Sequence, residues 1–259
     1  MIVPAKARAS LLYTVMIHNI AHRGASALEP ENTLLAFERA IGMGATMLEV
    51  DVHLSRDGRL VVVQHADLSR TTNGLGQVSG LTLAQIRRFD AGLGEHVPTL
   101  AQAIELARGR VELYVELKGH RTSEPTIRAL RDQNVLDQAV VGSFCPRRPQ
   151  EAKFLAPAIR TSLLIRQEDR HRDFVGWAQH IEASFVHPSW ERAVPTPHKL
   201  LTPELIASVR RRGLGLIVWN EVRPAELRQL VRLDVHGICT DTPDVLSSIL
   251  SEERERDIV

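Results

Sequence analysis

ATMLEVDVHLSRDG, residues 45–58, is the stretch on which the fold turns. It reads as a strand, because side chains at i and i+2 point to the same face. Leu48, Val50 and Val52 share one face, and Glu49, Asp51 and His53 share the other. Two carboxylates therefore stand side by side in a segment that otherwise reads as core. Like charges at that spacing repel, and stripping them of water is costly. The SRDG turn is followed by RLVVVQH, residues 59–65, which reads as an antiparallel return of the same strand.

Outward from this strand, apolar β-rich runs alternate with helix-like segments. Strands are predicted at 16–21, 46–53, 59–64, 111–117, 138–143, 159–165, 183–187, 214–219 and 235–240. Helices are predicted at 32–43, 82–89, 99–108, 123–133, 147–155, 172–180, 203–212, 224–232 and 243–251. Such alternation implies parallel strands joined by crossover helices. Asn32 and Thr33 supply capping chemistry for the first helix, and Thr202–Pro203 open a later one that Gly213 closes. With 59–64 set aside as a hairpin return, eight core strands remain. Eight units in about 240 residues favour a closed (β/α)8 TIM barrel. The alternative is an open doubly wound sheet, but no Gly-rich dinucleotide fingerprint or P-loop follows the first strand.

The rest of the composition narrows the class. The chain has 259 residues with a formal net charge of +1, which gives no footprint for nucleic acid or an anionic membrane. No apolar run approaches the ~18 residues of a membrane-spanning helix, so stable membrane insertion is not expected. Cys145 and Cys239 belong to no zinc-type cluster and fit a reduced, cytoplasmic protein. Residues 1–15, with Lys6 and Arg8 ahead of a short apolar stretch, read as a loosely held extension. The charged tail SEERERDIV, 251–259, is expected to fray.

In a barrel of this type the chemistry sits at the C-terminal strand ends. Those ends carry His22 and Arg23, then Glu49, Asp51 and His53, then His65, then Glu116 and Lys118. Later ends carry VHPSWE (186–191), VWNE (218–221) and CTD (239–241). Glu49, Asp51 and Glu116 converging from adjacent strands need a cation. An all-oxygen set suits Mg²⁺ or Ca²⁺. Lys118 and Arg23 beside it suit a phosphate. His22 and His65 are candidate general acid and base, since imidazole titrates near neutral pH. Together these groups describe phosphate-ester cleavage. Each also has a plainer reading: Glu116–Lys118 as a surface ion pair, His22 as a hydrogen-bonded loop residue, Trp219 as core. His53, past the carboxylates, reads as structural.

From about residue 20 to 248 the chain resembles the glycerophosphodiester phosphodiesterase family. AHRGASALEPENTLLAFERAIGMGATMLEVDVHLSRDGRLVVVQH reproduces the family's opening in order and spacing. RTTNG (70–74), VPTL (97–100), VELK (115–118) and GICTDTPD (237–244) follow in place. The resemblance implies a (β/α)8 barrel over 16–250 with a small insertion at about 66–96. It implies metal ligands Glu49, Asp51 and Glu116 and catalytic residues His22 and His65. Arg23 and Lys118 match phosphate-contacting positions, Glu31 lies in the family's ENT motif near metal and glycerol, and Trp219 matches an aromatic near the substrate. The implied reaction is hydrolysis of a small-molecule glycerophosphodiester to glycerol 3-phosphate and an alcohol. Alternatives on the same barrel are a lysophospholipase D, a cyclising phospholipase D, or an inactive phosphodiester-binding relative. Three departures stand out. The Asp that usually follows the second histidine is replaced by Ala66, with Asp67 one place later; WTVN appears as WNEV (219–222); and GVDGI appears as DVHGI (234–238).

Overall fold

The structure is a computed structural model that describes residues 17–190 and 193–258. The predicted extension at 1–15 lies outside the described residues. The strands are β1 (His18–His22), β2 (Met47–Leu54), β3 (Leu60–Val62), β4 (Glu112–Leu117), β5 (Ala139–Ser143), β6 (Arg160–Ile165), β7 (Phe185–Pro188), β8 (Gly215–Val218) and β9 (Gly237–Thr240). The helices are α1 (Leu34–Gly42), α2 (Leu83–Ile86), α3 (Leu100–Ala107), α4 (Ser123–Asp132), α5 (Arg147–Leu155), α6 (Phe174–His180), α7 (Pro203–Arg211), α8 (Pro224–Leu230) and α9 (Pro243–Ile258).

Eight of the strands close into a parallel barrel, because β1 pairs with both β2 and β9. The ninth, β3, pairs antiparallel with the end of β2 through Val52–Val62 and Leu54–Leu60, as the hairpin reading requires. Local chemistry starts and stops the helices. The Thr33 hydroxyl accepts from the Ala36 N–H at the start of α1, and Thr99 and Gln102 form a reciprocal capping box on α3. Gly44 and Gly213, at φ +85° and +67°, make the left-handed turns that follow α1 and α7.

The alternation seen in β2 now has two destinations. Leu48, Val50 and Val52 pack outward with Phe37 of α1 and Leu100 and Ile104 of α3. Met47 faces the barrel interior with Ile20, Tyr114, Val140, Leu164, Ile217 and Cys239. Leu68, Val78 and Ile86 of residues 66–96 form a small core with the flanking Val61, Val63 and Val97. No helix among the described residues is long and apolar enough to cross a membrane.

One sequence expectation differs from the structure. Helix is predicted only to residue 251, but α9 continues through the charged tail to Ile258. Arg228 of α8 pairs with Glu252, and Arg232 pairs with Glu253 at 3.0 Å, so the polar tail helix is tied to the helix before it.

The interior tolerates little added volume. A Cβ at Gly142 would lie 2.4 Å from the Tyr114 hydroxyl oxygen and 2.9 Å from Leu164 Cδ1. Gly142→Ala is expected to cost about 1–3 kcal/mol, read as a fall of several degrees in thermal midpoint. An unchanged midpoint would show that the barrel interior has slack beside Tyr114.

Candidate active site

Strand register assembles the acidic group. His22 of β1 lies opposite Glu49 of β2, and Asp51 of β2 lies opposite Glu116 of β4. One ligand oxygen from each of Glu49, Asp51 and Glu116 falls within 4.8 Å of the others. Their exposures are only 3%, 1% and 5%. Carboxylates this buried require counter-charge. Lys118 Nζ supplies some, 3.0 Å from Glu116 and 3.5 Å from Asp51. Arg23 supplies the rest: its Nε lies 3.3 Å from Asp51, its Nη1 3.0 Å from Glu31, and its backbone N–H donates to Glu49 at 3.0 Å. Arg23 takes a left-handed φ of 56°, which turns both its amide and its side chain onto the cluster. Asn32, also left-handed at 58°, donates from Nδ2 to Asp51 at 2.9 Å.

The three carboxylates titrate differently. Burial, then repulsion from Asp51 and Glu116, pushes Glu49 well above the ordinary range. Burial likewise lifts Glu116 to about 7, with Lys118 holding it back. Burial pushes Asp51 the same way, but Lys118, Arg23 and the Asn32 hydrogen bond outweigh it and hold that carboxyl below its usual value. Two features fit a bound cation. Asp51 Oδ1 is buried without a hydrogen-bond partner among the described residues, and the donor set is all oxygen. A hard divalent ion such as Mg²⁺ or Ca²⁺ suits such a set. Arg23 Nε faces Asp51 at 3.3 Å without completing a hydrogen bond.

His22 faces the same mouth. Its Nδ1 lies 2.5 Å from Asp241 Oδ1, and Asn220 donates to the other oxygen of that carboxylate at 2.8 Å. Asp241 is depressed to about 2: burial opposes ionisation, but the hydrogen bond and charge of His22 and the bonds from Asn220 and Ser26 prevail. Burial dominates at His22 and lowers its pKa, with Asp241 opposing. Lowered below 6.5, the imidazole is neutral near pH 7, and the ionised Asp241 against Nδ1 favours the tautomer with the proton on Nδ1, which makes Nε2 the acceptor. The Trp219 ring stands edge-on to His22 at 5.2 Å and to Phe144 at 6.1 Å.

His65 follows β3, half-buried, with no side-chain hydrogen bond among the described residues. Its pKa is lowered by burial and then by Arg70, with Arg23 and Lys118 adding to the effect and Glu31 opposing it, so it feels the same charged cluster. The displaced Asp67 does not support it. Asp67 instead caps the turn at Leu68–Arg70, accepting from the Ser69 N–H at 3.0 Å and from Gln77 at 3.2 Å. His53 lies 3.4 Å from the Gln64 carbonyl through Nε2, away from the cluster's hydrogen bonds. Asp241 and Asn220 sit in strand ends that the sequence reading noted without assigning a role. Asn32, inside the ENT motif, and Phe144, directly after β5, carried no separate signal.

The profile of the Glycerophosphoryl diester phosphodiesterase family matches residues 22–245. The chain belongs to that family. It is 32% identical over 247 residues to the glycerophosphodiester phosphodiesterase of Caldanaerobacter subterraneus, covering 89% of this chain and 96% of that one. Its fold superimposes on the crystal structure of glycerophosphodiester phosphodiesterase from Agrobacterium tumefaciens with a TM-score of 0.77 at 28% identity, covering 90% of this chain and 100% of that one. A phosphodiesterase of Oleispira antarctica, solved in complex with the product sn-glycerol-3-phosphate, gives a TM-score of 0.77 at 26% identity, covering 90% and 96%.

The raised carboxylates make cation binding and pH interdependent. A carboxyl whose folded pKa is raised binds more protons folded than unfolded between its two values. The metal-free fold therefore loses stability from Glu116 as pH rises from 4.5 to about 7. A divalent cation needs the ionised ligands. Thermal melts with and without Mg²⁺ or Ca²⁺ are expected to show a small gain at pH 5 that grows to a plateau above pH ~7. At about 100 times the dissociation constant the gain is about 2.7 kcal/mol. A gain independent of pH, or retained in Glu49→Gln/Glu116→Gln, would argue against the ligand set.

Proposed function

We propose that this chain hydrolyses glycerophosphodiesters to sn-glycerol 3-phosphate and an alcohol, with a divalent metal ion held by Glu49, Asp51 and Glu116. The observation that carries the reading is the buried carboxylate triad with Arg23, Lys118 and the Asp241-oriented His22 on one barrel mouth. The relative solved with sn-glycerol-3-phosphate supports the product class.

In this reading Arg23 and Lys118 bind the nonbridging phosphate oxygens and take up charge as it develops. When bound, a Mg²⁺ or Ca²⁺ ion supplies Lewis-acid polarisation of those oxygens. Glu31, paired with Arg23, lies on the glycerol side, and Trp219 walls the pocket beside His22. His22 Nε2 accepts the proton of the attacking hydroxyl, from water or the neighbouring glycerol hydroxyl. A new P–O bond forms as the P–O bond to the alcohol breaks; where the glycerol hydroxyl attacks, the product is a cyclic phosphate that a water then opens to glycerol 3-phosphate. His65, in its cationic form, donates a proton to the departing oxygen, and its lowered pKa confines that form to the acid side of neutral. Asp241 holds the Nδ1–H and stabilises the imidazolium that forms.

His22→Ala is expected to lower metal-dependent release of glycerol 3-phosphate from glycerophosphocholine or glycerophosphoglycerol by about 10²- to 10⁴-fold. Asp241→Asn is expected to lower it by less, with circular dichroism unchanged in both. Full activity in His22→Ala would sink the assignment. In the same assay His65→Ala is expected to slow substrates with a poorly leaving alkoxide far more than an aryl-leaving analogue, whose departing oxygen needs no proton. Equal losses on both would remove His65 from the acid role.

A further inference from the structure

The rim beyond Lys118 is built as firmly as the cluster itself. The Leu117 carbonyl accepts from the buried Ser143 hydroxyl at 2.9 Å and from Arg148 at 2.7 Å, which ties the end of β5 to the end of β4. Phe144 follows Ser143 directly, so this clamp sets its ring beside Lys118, whose Nζ lies 5.9 Å from the ring centroid. One strand further, Ser189 clamps the Ile165 carbonyl through its N–H at 3.0 Å and its hydroxyl at 3.1 Å. The next residue, Arg166, lays its guanidinium over the same Phe144 ring at 5.4 Å. Both cations are within the ~6 Å reach of a cation–π contact. The Arg166 carbonyl accepts from the Asp169 N–H at 3.1 Å, but its guanidinium makes no hydrogen bond among the described residues. Its nearest carboxylate is Glu168 at 3.9 Å, and with side-chain exposures of 51% and 72% that pair is solvent-screened.

The order of strands gives this feature a direction. Around the barrel run β1, β2, β4, β5 and β6. Arg23 and Glu31 follow β1, the carboxylate triad lies on β2 and β4, and Phe144 and Arg166 follow β5 and β6. A phosphodiester has two arms. With its phosphate on Arg23 and Lys118 and its glycerol toward Glu31, the other arm runs toward Phe144. An aromatic ring there would ordinarily welcome a quaternary ammonium. In this chain two cations already hold that ring, and a third positive charge is repelled. A guanidinium with free donors instead offers bidentate recognition of a phosphate or carboxylate.

We propose that Arg166, seated on Phe144, forms a subsite for the leaving alcohol and selects alcohols that carry an anionic group, phosphate or phosphodiester foremost, over those ending in a quaternary ammonium. This rests on the hydrolase reading above. Three substrates with the same scissile group test it: bis(glycerophospho)glycerol, glycerophosphoglycerol and glycerophosphocholine. Each is assayed for glycerol 3-phosphate release with Mg²⁺, Mn²⁺ or Ca²⁺. The expected kcat/KM favours the first over the last by about tenfold or more, as one charge-assisted contact provides. Arg166→Glu is expected to collapse that ratio, mainly through KM, and Arg254→Glu, an equal charge change on the exposed face of α9, to leave it in place. High salt is expected to shrink the wild-type preference. Equal turnover of the three substrates would overturn the subsite. So would a ratio untouched by Arg166→Glu, or one shifted as far by Arg254→Glu. Release from none of the three, with any metal, removes the hydrolase reading itself and the subsite with it.

Discussion

Three carboxylates sharing one desolvated volume have to be compensated, and the mouth of this barrel is organised around that requirement. Glu49, Asp51 and Glu116 lie too close together, and too far from water, to ionise independently. Lys118 and Arg23 press against them, and Arg23 is itself shared with Glu31. The left-handed backbone at Arg23 and Asn32 follows from the same need, because each turns a donor onto the acids. Asp51, contacted by both cations and by Asn32, is held ionised, while Glu49 and Glu116 wait for further positive charge. Burial and mutual repulsion thus push Glu49 and Glu116 toward protonation, and the all-oxygen set could hold a divalent cation that would favour their ionised forms.

The second charge system, His22 with Asp241, is separate in construction. Its carboxylate comes from the loop after β9, reached only because the barrel closes β9 onto β1. Asn220, after β8, completes it. Closure thus does chemical as well as mechanical service: an open sheet would leave β1 and β9 at opposite edges. His65 has no comparable support. With Ala66 beside it and Asp67 committed to a turn, its position depends on the short hairpin β2–β3 and the packed insertion.

Much of this was legible in residues 45–58 and the strand ends. Period-two alternation placed Glu49 with Asp51, and the strand-end rule brought Glu116, Lys118, His22 and Arg23 toward them. Alternation holds for any strand, so those residues needed no knowledge of their neighbours. The contacts that escaped are non-local. Asp241 reaches His22 across more than two hundred residues of chain; the strand-end rule marks CTD but not its partner. The persistence of α9 past residue 250 depends on arginines of the preceding helix region, so the tail's own composition gave no warning. Asn32 was read as helix-capping chemistry, yet the α1 cap is Thr33, and the Asn32 side chain serves Asp51.

The register between β2 and β4 has a further consequence. In a closed barrel a strand cannot creep; it can only jump by whole residues, and a jump of one would turn Glu49 and Asp51 into the helix layer. The placement of the acidic set is therefore quantised: it is kept whole with the strand pairing or lost whole. Phe144, Arg166 and Asn220 sit just past the strands, where the chain can vary one residue at a time. The barrel thus separates what can drift from what cannot, leaving the rim around Phe144 and Arg166 open to gradual change and the acidic centre closed to it.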